Sequence, residues 1–136
     1  MLRRPRRNRK SEVIRELVVE TKLAKSDLIF PLFMVEGDNV QQEVKSMPGI
    51  FRFSVDKLMD EIYDCLQLGI KTFCLFPAFD DKYKDKYASI SHNHQNYYLK
   101  AIYRIKNELQ EACIMTALYM DTYSSDGHAC IVKTGT

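Results

Sequence analysis

The stretch MDTYSSDGHACIV, Met120 to Val132, is the richest in chemistry-bearing side chains. Two carboxylates (Asp121, Asp126), a histidine (His128), two serines, a tyrosine and a cysteine surround Gly127. Asp121, Asp126 and His128 offer the oxygen and nitrogen donors that a divalent cation takes. Ser-Ser-Asp-Gly is equally ordinary turn chemistry, because Ser and Asp side chains bond their own backbone. Three donors of mixed type weigh less than the turn, and on the residues alone both readings stay open.

Other candidate sites are weaker. In SHNH, His92 and His94 stand two residues apart, which on a strand would put both imidazoles on one face. That segment reads as a polar loop with no third ligand nearby, so solvation is the simpler account. Ser124 or Ser125 with His128 would be a nucleophile and base too close in sequence to work as a pair. No G-x-G-x-x-G, P-loop or G-x-S-x-G motif occurs. Cys65, Cys74, Cys113 and Cys130 are widely spaced without a C-x-x-C, which excludes a zinc finger and points to free thiols in a reducing, cytoplasmic setting.

The elements that would position these residues alternate. Ser11 caps a helix with Val13, Ile14, Leu17 and Val18 on one face. DLIFPLFMVEG reads as a buried strand ending at Gly37, with regular pairing starting at or after Pro31, which has no amide donor. SMPGIFRF reads as a turn or irregular link. Ser54 caps a second helix carrying Val55, Leu58, Ile62, Cys65 and Leu66, which Gly69 ends in a left-handed conformation. IKTFCLFP is a strand stopped by Pro77, and a polar loop leads to a third helix turning Leu99, Ile102, Ile105 and Leu109 inward. CIMTALYM is the last strand. Such alternation predicts βαβ units and an α/β fold with a parallel sheet. Chemistry in such folds gathers at the carboxyl ends of the strands, here Glu36 to Asp38, Pro77 to Asp81 and Asp121 to His128.

With 136 residues, 46% hydrophobic, the chain can enclose one core. The opening MLRRPRRNRK holds five arginines and a lysine without an acid, so the remaining body is mildly acidic. An arm that clasps a partner is favoured over nucleic-acid binding, because no aromatic is interleaved and no recognition helix follows. No apolar run approaches the roughly 18 residues of a membrane span.

Seven segments in order, RRPRRNR, DLIFPLFMVEG, MPGIFRFSVDKL, LGIKTFCLFP, KD..ASIS, AIYRIKNE and DTYSSDGH, make the chain resemble the δ-aminolevulinate dehydratase (porphobilinogen synthase) family. The resemblance covers almost all of this chain and about the first two-fifths of the usual family length, a full barrel being roughly 250 residues or more. It implies a partial TIM (β/α)8 barrel, its first three βα steps, over residues 11–136, with an extended basic N-terminal arm at residues 1–10. It further implies the condensation and dehydration of two 5-aminolevulinate molecules to porphobilinogen in tetrapyrrole and haem synthesis, through lysine Schiff bases.

The carry-over of site residues is partial. Asp121, Tyr123, Ser124, Ser125, Gly127 and His128 match the family's strand-end pattern, while Ala117 replaces its leading aspartate. The three metal-ligand positions are Tyr119, Asp121 and Ala129. None is cysteine, which disfavours zinc and leaves magnesium or another divalent ion resting on Asp121. Cys130 occupies a glycine position and is not counted as a ligand. Ala88 stands where the lysine-aspartate loop usually has glycine, and Asn93-His94 where it has Asn-Pro. The Schiff-base lysines are expected on strands beyond Thr136, so no catalytic residue is assigned here and this chain is expected to be inactive by itself. The arm implies a homo-oligomer. The alternative is a non-catalytic interaction fragment that joins or caps oligomers of a full-length homologue.

Overall fold

The computed structural model describes residues 5–131, so Met1 to Arg4 of the arm and Val132 to Thr136 lie outside the described residues. The chain runs α1 (Glu12–Leu17), β1 (Ile29–Met34), β2 (Gln41–Glu43), β3 (Phe51–Phe53), α2 (Val55–Gln67), β4 (Thr72–Pro77), α3 (Tyr97–Glu108) and β5 (Cys113–Thr116). All five strands join one sheet in the order β2-β3-β1-β4-β5. Strands β3, β1, β4 and β5 are parallel, and β2 is antiparallel to β3. The expected α/β architecture with a parallel-dominated sheet is therefore present.

Period-two alternation decides which strand residues are buried. Leu32 and Met34 of β1 and Phe73 and Leu75 of β4 point to the helical side and are buried. They meet Leu58, Ile62 and Cys65 of α2 and Tyr98, Ala101 and Ile105 of α3 in one core. Each fully buried large side chain contributes roughly 1.5–3 kcal/mol by leaving water. The intervening residues Phe33, Cys74 and Phe76 are half-buried on the opposite face, where the Phe33 and Phe76 rings lie 5.7 Å apart.

Helix α2 follows its sequence signals closely. Gly69 has φ +87, and the Ile70 amide donates to the Cys65 carbonyl at 3.0 Å, closing the last turn. Ser54 sits at the N-cap, but its hydroxyl accepts from the Val40 amide at 2.8 Å instead of capping. It ties the β1–β2 connection to the start of the helix.

Five expectations need correction. The sequence places pairing after Pro31, whereas β1 begins at Ile29 and pairs with β4 through Pro31. Strand β3 reaches β1 only at Phe33 and Met34, so on its β3 side Pro31 has no ladder to interrupt. Regular β1 pairing stops at Met34, three residues short of Gly37. The supposed link contains β3, where Phe51–Phe53 is recruited by β1 on one side and β2 on the other. Strand β5 is regular only to Thr116, which pairs with Leu75. The next partners on β4 approach Pro77, which cannot donate.

The fifth concerns the helices. Leu99 is exposed, and Tyr98, Ala101 and Ile105 take the inward face of α3, because the Tyr98 hydroxyl donates to the Leu75 carbonyl at 2.9 Å. Helix α1 is capped by Ser11 as expected, the Ile14 amide donating to its hydroxyl at 3.3 Å, but it buries nothing. Val13 and Leu17 remain 65% and 79% exposed.

Candidate functional site

The carboxyl ends of β1, β4 and β5 open into three loops on one edge of the sheet. Two consecutive tyrosines at the start of α3 fasten that edge. The Tyr97 hydroxyl donates to the Ala78 carbonyl at 3.0 Å, just beyond β4, and lies 3.4 Å from the Met34 carbonyl at the end of β1. With Tyr98 bound to Leu75, α3 is locked to the strand ends by side chains as well as by packing. Burial pushes both phenols above their ordinary pKa, so they stay protonated donors.

Asn96 prepares this arrangement. Its side-chain oxygen caps α3 by accepting from the Tyr98 amide at 2.9 Å, and its amide donates to the Ile90 carbonyl at 3.0 Å. An Asn directly before a helix is a sequence signal that could have found it. The ring of Phe79 then packs at a tilt against Tyr97 and Tyr123, with centroids 4.8 and 5.0 Å away. That aromatic chain anchors the β5 loop although β5 has ended several residues earlier.

The loop is a turn by its own hydrogen bonds. The Tyr123 and Ser124 amides both donate to the Met120 carbonyl at 3.0 Å, the Asp126 amide donates to the Ser124 hydroxyl at 3.2 Å, and Gly127 adopts φ +66. Ser124 is buried and bridges Asp85, whose carbonyl accepts from the Ser125 amide at 3.0 Å. The Asp85 carboxylate in turn accepts from the Ser89 and Tyr87 amides at 3.0 and 2.9 Å. The Ser89 backbone amide first, then its hydroxyl, hold Asp85 below the usual carboxylate range. So the lysine-aspartate loop and the serine loop are joined through one aspartate.

The ligand positions that the resemblance implies do not supply a metal's donor set. Asp121 is exposed, Tyr119 is half-buried and Ala129 is exposed without a donor. Among the described residues no three His, Cys, Asp or Glu side chains gather closely enough to hold a metal ion. One carboxylate, one phenol and one methyl group do not fit a magnesium or zinc site. His128 and Cys130 instead line a cavity of about 190 Å³ with Ser124, Lys86 and Met120. His92 and His94 are exposed on the preceding loop. Cys65, Cys74, Cys113 and Cys130 are all unpaired. No helix among the described residues is long and apolar enough to cross a membrane.

A parallel-dominated α/β sheet with its loops bound together at the carboxyl edge is the scaffold of a strand-end binding or catalytic protein. The family model for Delta-aminolevulinic acid dehydratase matches residues 2–136, and the chain belongs to that family. It is 41% identical over 133 residues to the Delta-aminolevulinic acid dehydratase of Chlamydia pneumoniae, covering 98% of this chain and 40% of the relative. It is 37% identical over 132 residues to the enzyme of Bradyrhizobium diazoefficiens, covering 97% of this chain and 37% of the relative. The structure superposes with TM-score 0.91 on the delta-aminolevulinic acid dehydratase (porphobilinogen synthase) of Toxoplasma gondii in complex with porphobilinogen, at 36% identity, over 98% of this chain and 38% of that one. The chain thus spans about two-fifths of the length of these relatives.

Ala88 provides a direct test of the loop geometry. It is buried in a left-handed conformation, φ 53 and ψ 38, where a β-carbon crowds the backbone. Ala88→Gly is expected to raise stability by about 1 kcal/mol, the left-handed cost of roughly 1–2 kcal/mol less the extra chain entropy of glycine. A urea midpoint that is unchanged or lower in the variant contradicts that conformation.

Proposed function

We propose that this chain supplies the N-terminal portion of a porphobilinogen synthase, folded as the first three βα steps of a TIM barrel. The reaction of the whole protein is then the condensation and dehydration of two 5-aminolevulinates to porphobilinogen. The observation that carries this reading is the superposition over nearly the whole chain on a product-bound enzyme of that name. The β1–α2–β4–α3–β5 order with adjacent parallel strands supports the barrel portion of the reading.

Within that reading, the residues of this chain build the floor of the strand-end site. Tyr97 and Tyr98 fix α3 to the strand ends, and Phe79 with Tyr123 holds the β5 loop over them. The Schiff-base amines that the family resemblance implies fall on later strands, and none of the lysines here occupies such a position. The purified 136-residue chain is therefore expected to yield no porphobilinogen from 5-aminolevulinate. Colour with an aldehyde pyrrole reagent above a no-protein blank would overturn that assignment.

A second reading, a non-catalytic piece that joins oligomers of a full-length homologue, is favoured by the exposed apolar side chains of α1 beside the basic arm. It predicts co-purification with such a homologue, reduced several-fold by Arg6→Ala with Arg7→Ala. No association at micromolar concentration removes this second reading.

A further inference from the structure

On the helix-bearing face of the sheet, at its β3 side, lies a cavity of about 170 Å³. Phe30 and Leu32 of β1, Phe51 and Phe53 of β3, Gln41 of β2 and Glu61 of α2 line it. Alternation brings the strand residues to one face, since Phe30 shares the parity of buried Leu32 and Phe51 that of buried Phe53. Gln41 stands opposite Phe53 in the β2–β3 register, so its amide joins the same wall. The Phe51 and Phe53 rings lie 6.0 Å apart at a 42° tilt.

Among the described residues lining this cavity, Glu61 alone is charged. It is half-buried, one helical turn from the buried Leu58 and Cys65. It makes neither an ion pair nor a side-chain hydrogen bond among the described residues. Lys57, the one cation at helical spacing from it, is taken by Asp60 at 3.7 Å. Burial first, then the Glu61 and Asp64 charges, push the Cys65 thiol above its ordinary pKa, so a negative field extends along this side of α2.

A partly desolvated carboxylate without a cation is costly, and aromatic ring faces attract a positive charge within about 6 Å of their centroids. Three phenylalanines beside one carboxylate are therefore complementary to an organic cation. A primary ammonium brings three N–H donors, whereas the side chains here offer acceptors only on Glu61 and Gln41. A quaternary ammonium has no donor to satisfy and spreads its charge over methyl groups that pack on the rings.

We propose that this cavity binds a quaternary ammonium group, with the Phe30, Phe51 and Phe53 rings around its methyl groups and the Glu61 carboxylate as counter-charge. The site shares no residue with the loops after β4 and β5, which carry Tyr119, Asp121 and Ala129. Its occupancy stands independently of porphobilinogen synthesis, since binding requires no turnover.

The test is a titration of the full chain with choline, followed by the phenylalanine ring resonances in ¹³C–¹H spectra. Saturable millimolar binding is expected. The neutral carbon isostere of choline, with a tert-butyl group in place of trimethylammonium, should bind about tenfold more weakly, and so should ethanolamine. Glu61→Gln should weaken choline about tenfold and Phe51→Leu several-fold. Glu111→Gln, in the exposed pair with Lys71, should change nothing. Should Phe51→Leu fail to fold, Glu61→Gln on the helix flank decides alone. Isostere or ethanolamine binding as tight as choline, unaltered affinity in the Glu61 variant, or no saturable binding would each overturn the proposal.

Discussion

The pairing of β1 with β4 is the constraint on which the rest of the structure depends. Six consecutive residue pairs, Ile29 with Thr72 through Met34 with Pro77, form the longest ladder in the sheet. Every other strand is placed from it: β3 adds to β1 over two pairs and β5 to β4 over four. The same ladder presents Leu32, Met34, Phe73 and Leu75 together on one face, which is what allows α2 and α3 to share a single core. Parallel pairing of this kind requires a long crossover, and α2 is that crossover, so helix and ladder stabilise each other.

Because β1 and β4 end side by side, their last carbonyls form a platform. Tyr97 and Tyr98 hold α3 to it, and the Phe79–Tyr123 contact carries the order on to a loop that the short β5 could not position. The loop is shaped by turn hydrogen bonds and by its bridge to Asp85. Tyr123, Ser124 and Gly127 set the turn, while Ala129 has no donor and Asp121 faces solvent.

What could be read in the sequence was what depends on local pattern. Helix α2 shows its cap position, its apolar spacing and its terminating Gly69 within one continuous segment, and the structure matches it. The DTYSSDGH turn was also visible, since Ser, Asp and Gly act on their own backbone. What escaped depends on distant partners. Phe51–Phe53 has too few residues to signal a strand, and it becomes one only because β1 and β2 flank it. Leu99 looks inward by hydropathy, but the Leu75 carbonyl draws the Tyr98 hydroxyl to that face. The resemblance marked Asp121 as the one carboxylate among its ligand positions, and it stands exposed in the structure. Ala88 shows the reverse case: a position marked by resemblance as glycine proves to need the left-handed conformation that glycine favours.

Native-state hydrogen exchange along the strands tests the central role of the β1–β4 ladder most directly. The account predicts that the amides of Leu32, Met34, Phe73 and Leu75 exchange slowest and together, at the global unfolding free energy, while those of β2 and β5 exchange faster through local opening. Equal protection across all five strands, or β5 outlasting β4, would contradict it.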